Sequence, residues 1–222
     1  MPALLPRTGV LALALAAGPV ACQTVGGTGA RAVRPGAPGE PSRVVDAEEA
    51  RRSLVPRVTQ ADVRFMQGMI AHHAQAITLS ALVPERAESE AVRLVAERIG
   101  RSQGDEIALM ERWLGEHGQE IPDPALGYRL PSQVAGAAVM MPGMLTPEEL
   151  GELEAASGAA FDRLFLIYMI RHHEGALTMV RELFESDGAG EEAVIFEFAV
   201  DVDSDQRIEI ARMVRMLSGA QL

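Results

Sequence analysis

Residues 65–80 read FMQGMIAHHAQAITLS, and residues 165–180 read FLIYMIRHHEGALTMV. A constant offset of 100 pairs Phe65 with Phe165, Met69 with Met169, Ile70 with Ile170, His72 with His172, His73 with His173, Ala76 with Ala176 and Thr78 with Thr178. Asp62 and Asp162 obey the same offset, and four of the five histidines of the chain lie in the two copies. An internal repeat of this kind sets the fold. On a helix, successive residues are turned by about 100°. With Met69 as reference, His73 then lies about 40° to one side and His72 about 60° to the other. Phe65, Ala76 and Leu79 share that side. The second copy presents the same face from Phe165, Met169, His172, His173, Ala176 and Met179. Each copy is an apolar helical stripe with two imidazoles and a thioether set into it.

The flanking sequence supplies the other helices. Thr59-Gln-Ala-Asp62 has the spacing of a capping box, and a first helix is predicted from there to about Leu82, ended by Pro84. A second is predicted from about Ser89 to His117, closed by Gly118. Residues 119–144 are rich in Pro and Gly and read as a long crossover. Thr146-Pro147-Glu148-Glu149 opens a short helix to about Ala156. Two further helices are predicted over about 159–185 and 191–217. The second and last helices repeat as well, at offset 103: Gln103 with Gln206, Glu106 with Glu209, Ile107 with Ile210, Met110 with Met213 and Leu114 with Leu217. The change from 100 to 103 places a three-residue insertion in the second hairpin loop. The expected fold is all-α: a ferritin-like four-helix bundle made of two duplicated hairpins joined by a long crossover.

Ahead of the bundle, Met1–Ala21 carries Arg7, an apolar run and then small residues up to Cys22. The run is well short of the roughly 20 residues needed to span a bilayer and fits a secretory signal peptide. Cys22 stands where a bacterial lipoprotein is lipidated, although Pro19 departs from the usual Leu three positions before it. Residues 22–57 read as a flexible tether, with a short helix within DAEEARRSL, and residues 58–220 as the folded domain. Export to the periplasm or the extracellular space follows, with membrane anchoring through a lipid on Cys22 as one form of it. The single Cys rules out a disulfide framework or a Cys-based zinc cage. The formal charge of −11, with no lysine and no basic patch, argues against a nucleic-acid partner.

Four imidazoles, two Glu, two Gln and two Asp fall on inward stripes in matched pairs, where each unpartnered polar group costs roughly 1–3 kcal/mol. Three readings stay open. In the first, the bundle core binds a metal ion through His72, His73, His172 and His173 with Met69 and Met169. Met110 and Met213 add sulfur from the second and last helices, and Glu106 and Glu209 orient the rings or complete the sphere. Asp62, Asp162, Gln103 and Gln206 stand behind them. Imidazole with thioether suits copper, especially Cu(I), over harder ions. Binding needs neutral His, so affinity is expected to fall below about pH 6. In the second reading the core is an iron or manganese dimetal oxidoreductase. That chemistry normally uses Glu-x-x-His on two helices, and here Met69 and Met169 occupy the Glu positions. In the third, a His–Glu/Asp network only fixes the register of the bundle. We read the chain as a binding protein rather than an enzyme. Met140-Met141-Pro142-Gly143-Met144 is either a copper-collecting loop or a plug on the core, and His117 is a solvated or capping residue.

MIAHHAQAITLS, MIRHHEGALTMV, the FDRLFLIYM before the second copy and the Q-x-x-E-I-x-x-M of the alternate helices resemble the family of domain of unknown function 305, over roughly residues 58–217. The resemblance implies an exported bacterial protein with a ferritin-like bundle. For some members it implies periplasmic copper binding and tolerance, with Met69, His72, His73, Met169, His172 and His173 as the site. Met216 stands where the first half has Trp113, so the halves are not identical.

Overall fold

The computed structural model describes residues 31–34, 42–47, 56–126, 128 and 140–219. The chain forms two units, Met1–Leu54 and Val55–Leu222. In the first, β1 (Arg31–Arg34) pairs antiparallel with β2 (Arg43–Asp46), Arg31 opposite Asp46 and Arg34 opposite Arg43. The stretch read as a tether thus contains a short antiparallel hairpin. The signal peptide, Cys22 and most of the short helix expected in DAEEARRSL lie outside the described residues.

The second unit is the all-α bundle. Its helices are α1 (Gln60–Arg86), α2 (Glu90–Glu116), α3 (Pro147–Ala155), α4 (Gly158–Glu185) and α5 (Ala193–Leu217). Thr59 and Thr146 close capping boxes with Asp62 and Glu149, as their spacing predicts. Pro84 does not end α1. It sits in the last turn, and the helix stops at Arg86. The second hairpin connection, Ser186–Glu192, is longer than the first, Ala87–Ser89, which accommodates the shift in repeat offset. Among the described residues no helix is long and apolar enough to cross a membrane.

Helix α1 packs on α2, α4 on α5, and α1 on α4. The two central helices run antiparallel. Asp62 at the start of α1 accepts from Gly190 N beyond the end of α4, while Glu88 beyond the end of α1 accepts from Ala159 N at the start of α4. Buried apolar residues gather in two clusters. One holds Met69, Met110 and Trp113; the other holds Met169, Met213 and Phe165. The polar repeat residues lie between them.

Asp62 and Asp162 have a different task from the one expected. Asp62 is fully buried and takes hydrogen bonds from Thr59 N, Thr59 Oγ1 and Gly190 N at 2.7–2.9 Å. Asp162 accepts from Glu88 N and Ser89 N and so caps α2, whose own Ser89 side chain makes no capping bond. Both acids satisfy orphan amides at helix ends and tie the two hairpins together, about three turns from the imidazoles. We expect Asp62→Ala to cost about 1–2 kcal/mol in a urea melt, because Gly190 N loses its partner.

Candidate metal centre

The helical repeat brings all four imidazoles into one layer across α1 and α4, and all four are inaccessible to solvent. The rings of His72 and His172 lie face to face, with centroids 3.8 Å apart and planes 34° from parallel. His73 flanks the pair at 6.5 Å from His72, and His173 at 6.3 Å from His172. This near-symmetric array follows from matched positions on two antiparallel helices.

The outer nitrogens are held. His73 Nε2 is 2.5 Å from Glu106 Oε2, and His173 Nε2 is 2.7 Å from Glu209 Oε2. A carboxylate only accepts, so each Nε2 carries the proton and donates it. His72 Nε2 donates to the carbonyl of Pro142 at 3.0 Å. In all three rings the remaining nitrogen, Nδ1, is buried without a hydrogen-bond partner, and His172 has a partner at neither nitrogen. Gln103 and Gln206, one turn before Glu106 and Glu209, are buried with unpartnered side-chain atoms too. A layer built only to fix register would satisfy these groups, because each orphan costs roughly 1–3 kcal/mol.

Burial holds His72 down to about 3, with the neighbouring charge of His73 adding to the effect and the Pro142 carbonyl opposing it. Burial, followed by His72, His173 and His73, also pushes His172 well below the ordinary imidazole range, with the His72 backbone opposing the shift. Both rings stay neutral with lone pairs available. Proton competition at these two begins well below the pH of about 6 expected for solvated imidazole.

The Met-rich segment is a strap on the core. Gln75 clamps the backbone of Leu145 twice, donating to its carbonyl at 3.0 Å and accepting from its amide at 2.8 Å. Its repeat partner is Gly175, where a Cβ would sit 1.9 Å from the Pro142 carbonyl oxygen. The strap therefore rests backbone-on-backbone against α4. Gly143 adopts φ +78° there, and a Cβ on it would meet the Arg171 carbonyl at 2.4 Å. Met141 covers Gly68, which has no side chain to displace it; its sulfur is 3.2 Å from where a Cβ would be. Arg171 grips Glu149 through both terminal nitrogens at 2.5 and 2.6 Å, fixing α3 beside the strap. Arg171 holds the Glu149 carboxyl at about 2.

The structure thus brings together His72, His73, His172, His173, Glu106 and Glu209. Gln103 and Gln206 are buried one turn away, with Met69, Met110, Met169 and Met213 fully buried in the flanking clusters. Asp62 and Asp162 stand apart. The sequence reading missed Pro142, Gln75 and Gly175. Gln75 and Gly175 differ between the copies, as several other pairs do, so the repeat did not single them out. His117 caps α2, its Nδ1 2.8 Å from the Trp113 carbonyl and its ring 4.3 Å from the indole. Among the described residues no three His, Cys, Asp or Glu side chains surround a common point. The tilted His72–His172 pair would have to part around an ion. The donor set itself fits a soft metal: bare buried Nδ1 atoms, outer nitrogens of three rings fixed by carboxylate or carbonyl, and methionines buried in the flanking clusters.

The model of the family described as domain of unknown function (DUF305) matches residues 62–217. A DUF305 fragment from Deinococcus radiodurans is 31% identical, with a TM-score of 0.60 over 73% of this chain and 99% of that one. A DUF305 protein described as secreted, from Streptomyces coelicolor, is 27% identical, with a TM-score of 0.59 over 72% and 93%. CopM in its Cu(I)-bound form is 25% identical, with a TM-score of 0.54 over 73% and 98%. No curated protein matches the chain.

Proposed function

The chain belongs to the DUF305 family, and on that footing we propose that its imidazole layer binds a soft metal ion, copper first, for sequestration or tolerance outside the cytoplasm. The observation that carries this reading is the set of buried, partnerless Nδ1 atoms whose opposite nitrogens are fixed by Glu106, Glu209 and Pro142. Metal-ligating histidines characteristically donate their other N–H to a carboxylate or a carbonyl in this way. His72, His73, His172 and His173 would supply nitrogen, and Met69 and Met169 sulfur, with Met110 and Met213 behind them. Glu106 and Glu209 act as orienting groups, which leaves few carboxylates for an iron or manganese centre. CopM, which shares this fold, has been solved with Cu(I), with Cu(II) and with silver. Export by a signal peptide over residues 1–21, with Cys22 as lipid anchor and residues up to 57 as the connection, fits a protein that meets copper outside the cell's reducing interior. Membership of the family includes a relative described as secreted.

Titration with Cu(I) against a competing chelator tests the reading. The wild type should bind, and copper at about 100 times its dissociation constant should add about 2.7 kcal/mol of stability. A His72/His73/His172/His173→Ala variant should lose both effects. Unchanged affinity in that variant would overturn the proposal.

A further inference from the structure

An ion bound among the imidazoles has to reach a layer closed at both ends by apolar clusters. Two lateral routes remain. On the α1/α4 side the strap seals the layer through the Gly143–Gly175 backbone contact, the paired Gln75–Leu145 bonds and the Pro142 carbonyl on His72. On the other side, α2 and α5 make almost no close backbone approach, in contrast to the three packed helix pairs. Side chains bridge that seam instead. Arg98 of α2 reaches Glu209 of α5 at 3.7 Å. Glu106 is still one-fifth exposed although it holds the fully buried His73.

Building on the functional reading above, we infer that metal ions reach the imidazole layer through the α2–α5 seam, drawn in by Asp205 and regulated by the Arg98 counter-charge. Asp205 sits on α5 one turn before Glu209, and its electrostatic neighbours are Glu106 and Arg98 across the seam with Glu209 and Asp201 on its own helix. Burial first, then the nearby charges of Glu106 and Glu209, push its carboxyl upward, and Arg98 opposes them. Its repeat partner is Ser102, so the charge belongs to one half only. Acids alone would not make a route. Here Gln103 and Gln206 stand on the same helices, at 1% and 2% exposure, with side-chain amide oxygens that nothing in the protein engages. Behind the two Glu, the Nδ1 atoms of His73 and His173 are equally bare. The seam thus offers a cation oxygen at its mouth, amide oxygen within and nitrogen at its end.

Stopped-flow association of Ag(I), a soft ion without redox chemistry, tests this, read by the fluorescence of Trp113, the single tryptophan of the chain. Asp205→Asn should slow association about threefold and weaken its dependence on ionic strength, with equilibrium stoichiometry unchanged. Arg98→Ala should speed association by a similar factor. Gln75→Ala, which loosens the strap, should leave the rate as it is. Unaltered rates in both seam variants, or a larger change in Gln75→Ala, would overturn the seam route while leaving the metal site standing. Failure of the wild type to bind any Ag(I) would remove the site and the route together.

Discussion

Gly175→Ala should destabilise the bundle by about 2–4 kcal/mol, although a glycine in mid-helix is ordinarily improved by alanine by roughly 0.5–1 kcal/mol. The added methyl would meet the Pro142 carbonyl oxygen at 1.9 Å and the Pro142 carbonyl carbon at 2.5 Å, far inside contact distance. Neither partner is a flexible side chain. The strap must lift by about 1 Å or more, or α4 must bend. Lifting separates Pro142 from His72 Nε2 and leaves a second imidazole, after His172, without a partner on its outer nitrogen. Urea denaturation gives the free energy, and the Nε2–H resonance of His72 should broaden or shift if the strap is the part that yields. Gly104→Ala is the internal control. It lies in α2 with nothing within 4 Å of the new methyl, and should gain about 0.5–1 kcal/mol. Equal responses at the two positions would mean that the strap does not rest on α4.

The strap also marks the limit of what the residues alone could reveal. The duplicated hairpins, the capping boxes and the burial of both Met-x-x-His-His faces all follow from periodicity and spacing, because a helix converts sequence interval directly into direction. Glu106 and Glu209 were legible as partners of the imidazoles for the same reason. The errors lie where interval does not determine direction. Asp62 and Asp162 occupy stripe positions, but they sit near the starts of their helices, where backbone amides of the opposite hairpin connection need an acceptor and take the carboxylate. Pro84 looked like a terminator, yet a proline in the last turn removes only one bond near the helix end and is tolerated there. Pro142 contributes through its carbonyl, which side-chain identity does not advertise. Gln75 and Gly175 form one of several mismatches between the two copies, so nothing in the sequence singled them out. A clamp on one side and an absence on the other suit a single strap crossing a pseudo-twofold axis.

His172→Leu separates a binding layer from one that only fixes register. Neither nitrogen of His172 has a hydrogen-bond partner, and the ring is fully buried. Its nearest polar neighbour is the His72 backbone, which lies inside α1 and keeps its helical bonding, so a leucine of similar bulk should raise the stability of the metal-free protein by about 1–3 kcal/mol. His72→Leu should gain less, because it orphans the Pro142 carbonyl. Acid sharpens the contrast. His72 titrates at about 3 in the folded protein against 6.5 in the unfolded chain, and His172 is lowered in the same direction. The unfolded state therefore binds more protons over that interval, and stability present above pH 6.5 drains away as pH falls towards 3. Deleting the His172 side chain should flatten part of that decline, visible as a smaller change in urea midpoint between pH 7 and pH 4. The same variant should bind Cu(I) at least tenfold more weakly, since it removes a nitrogen donor that has no other partner. A variant that was less stable without metal, and equally steep in acid, would instead assign His172 to the structural network. Higher stability together with lost binding is the pattern of a core that keeps unsatisfied nitrogens because an ion uses them.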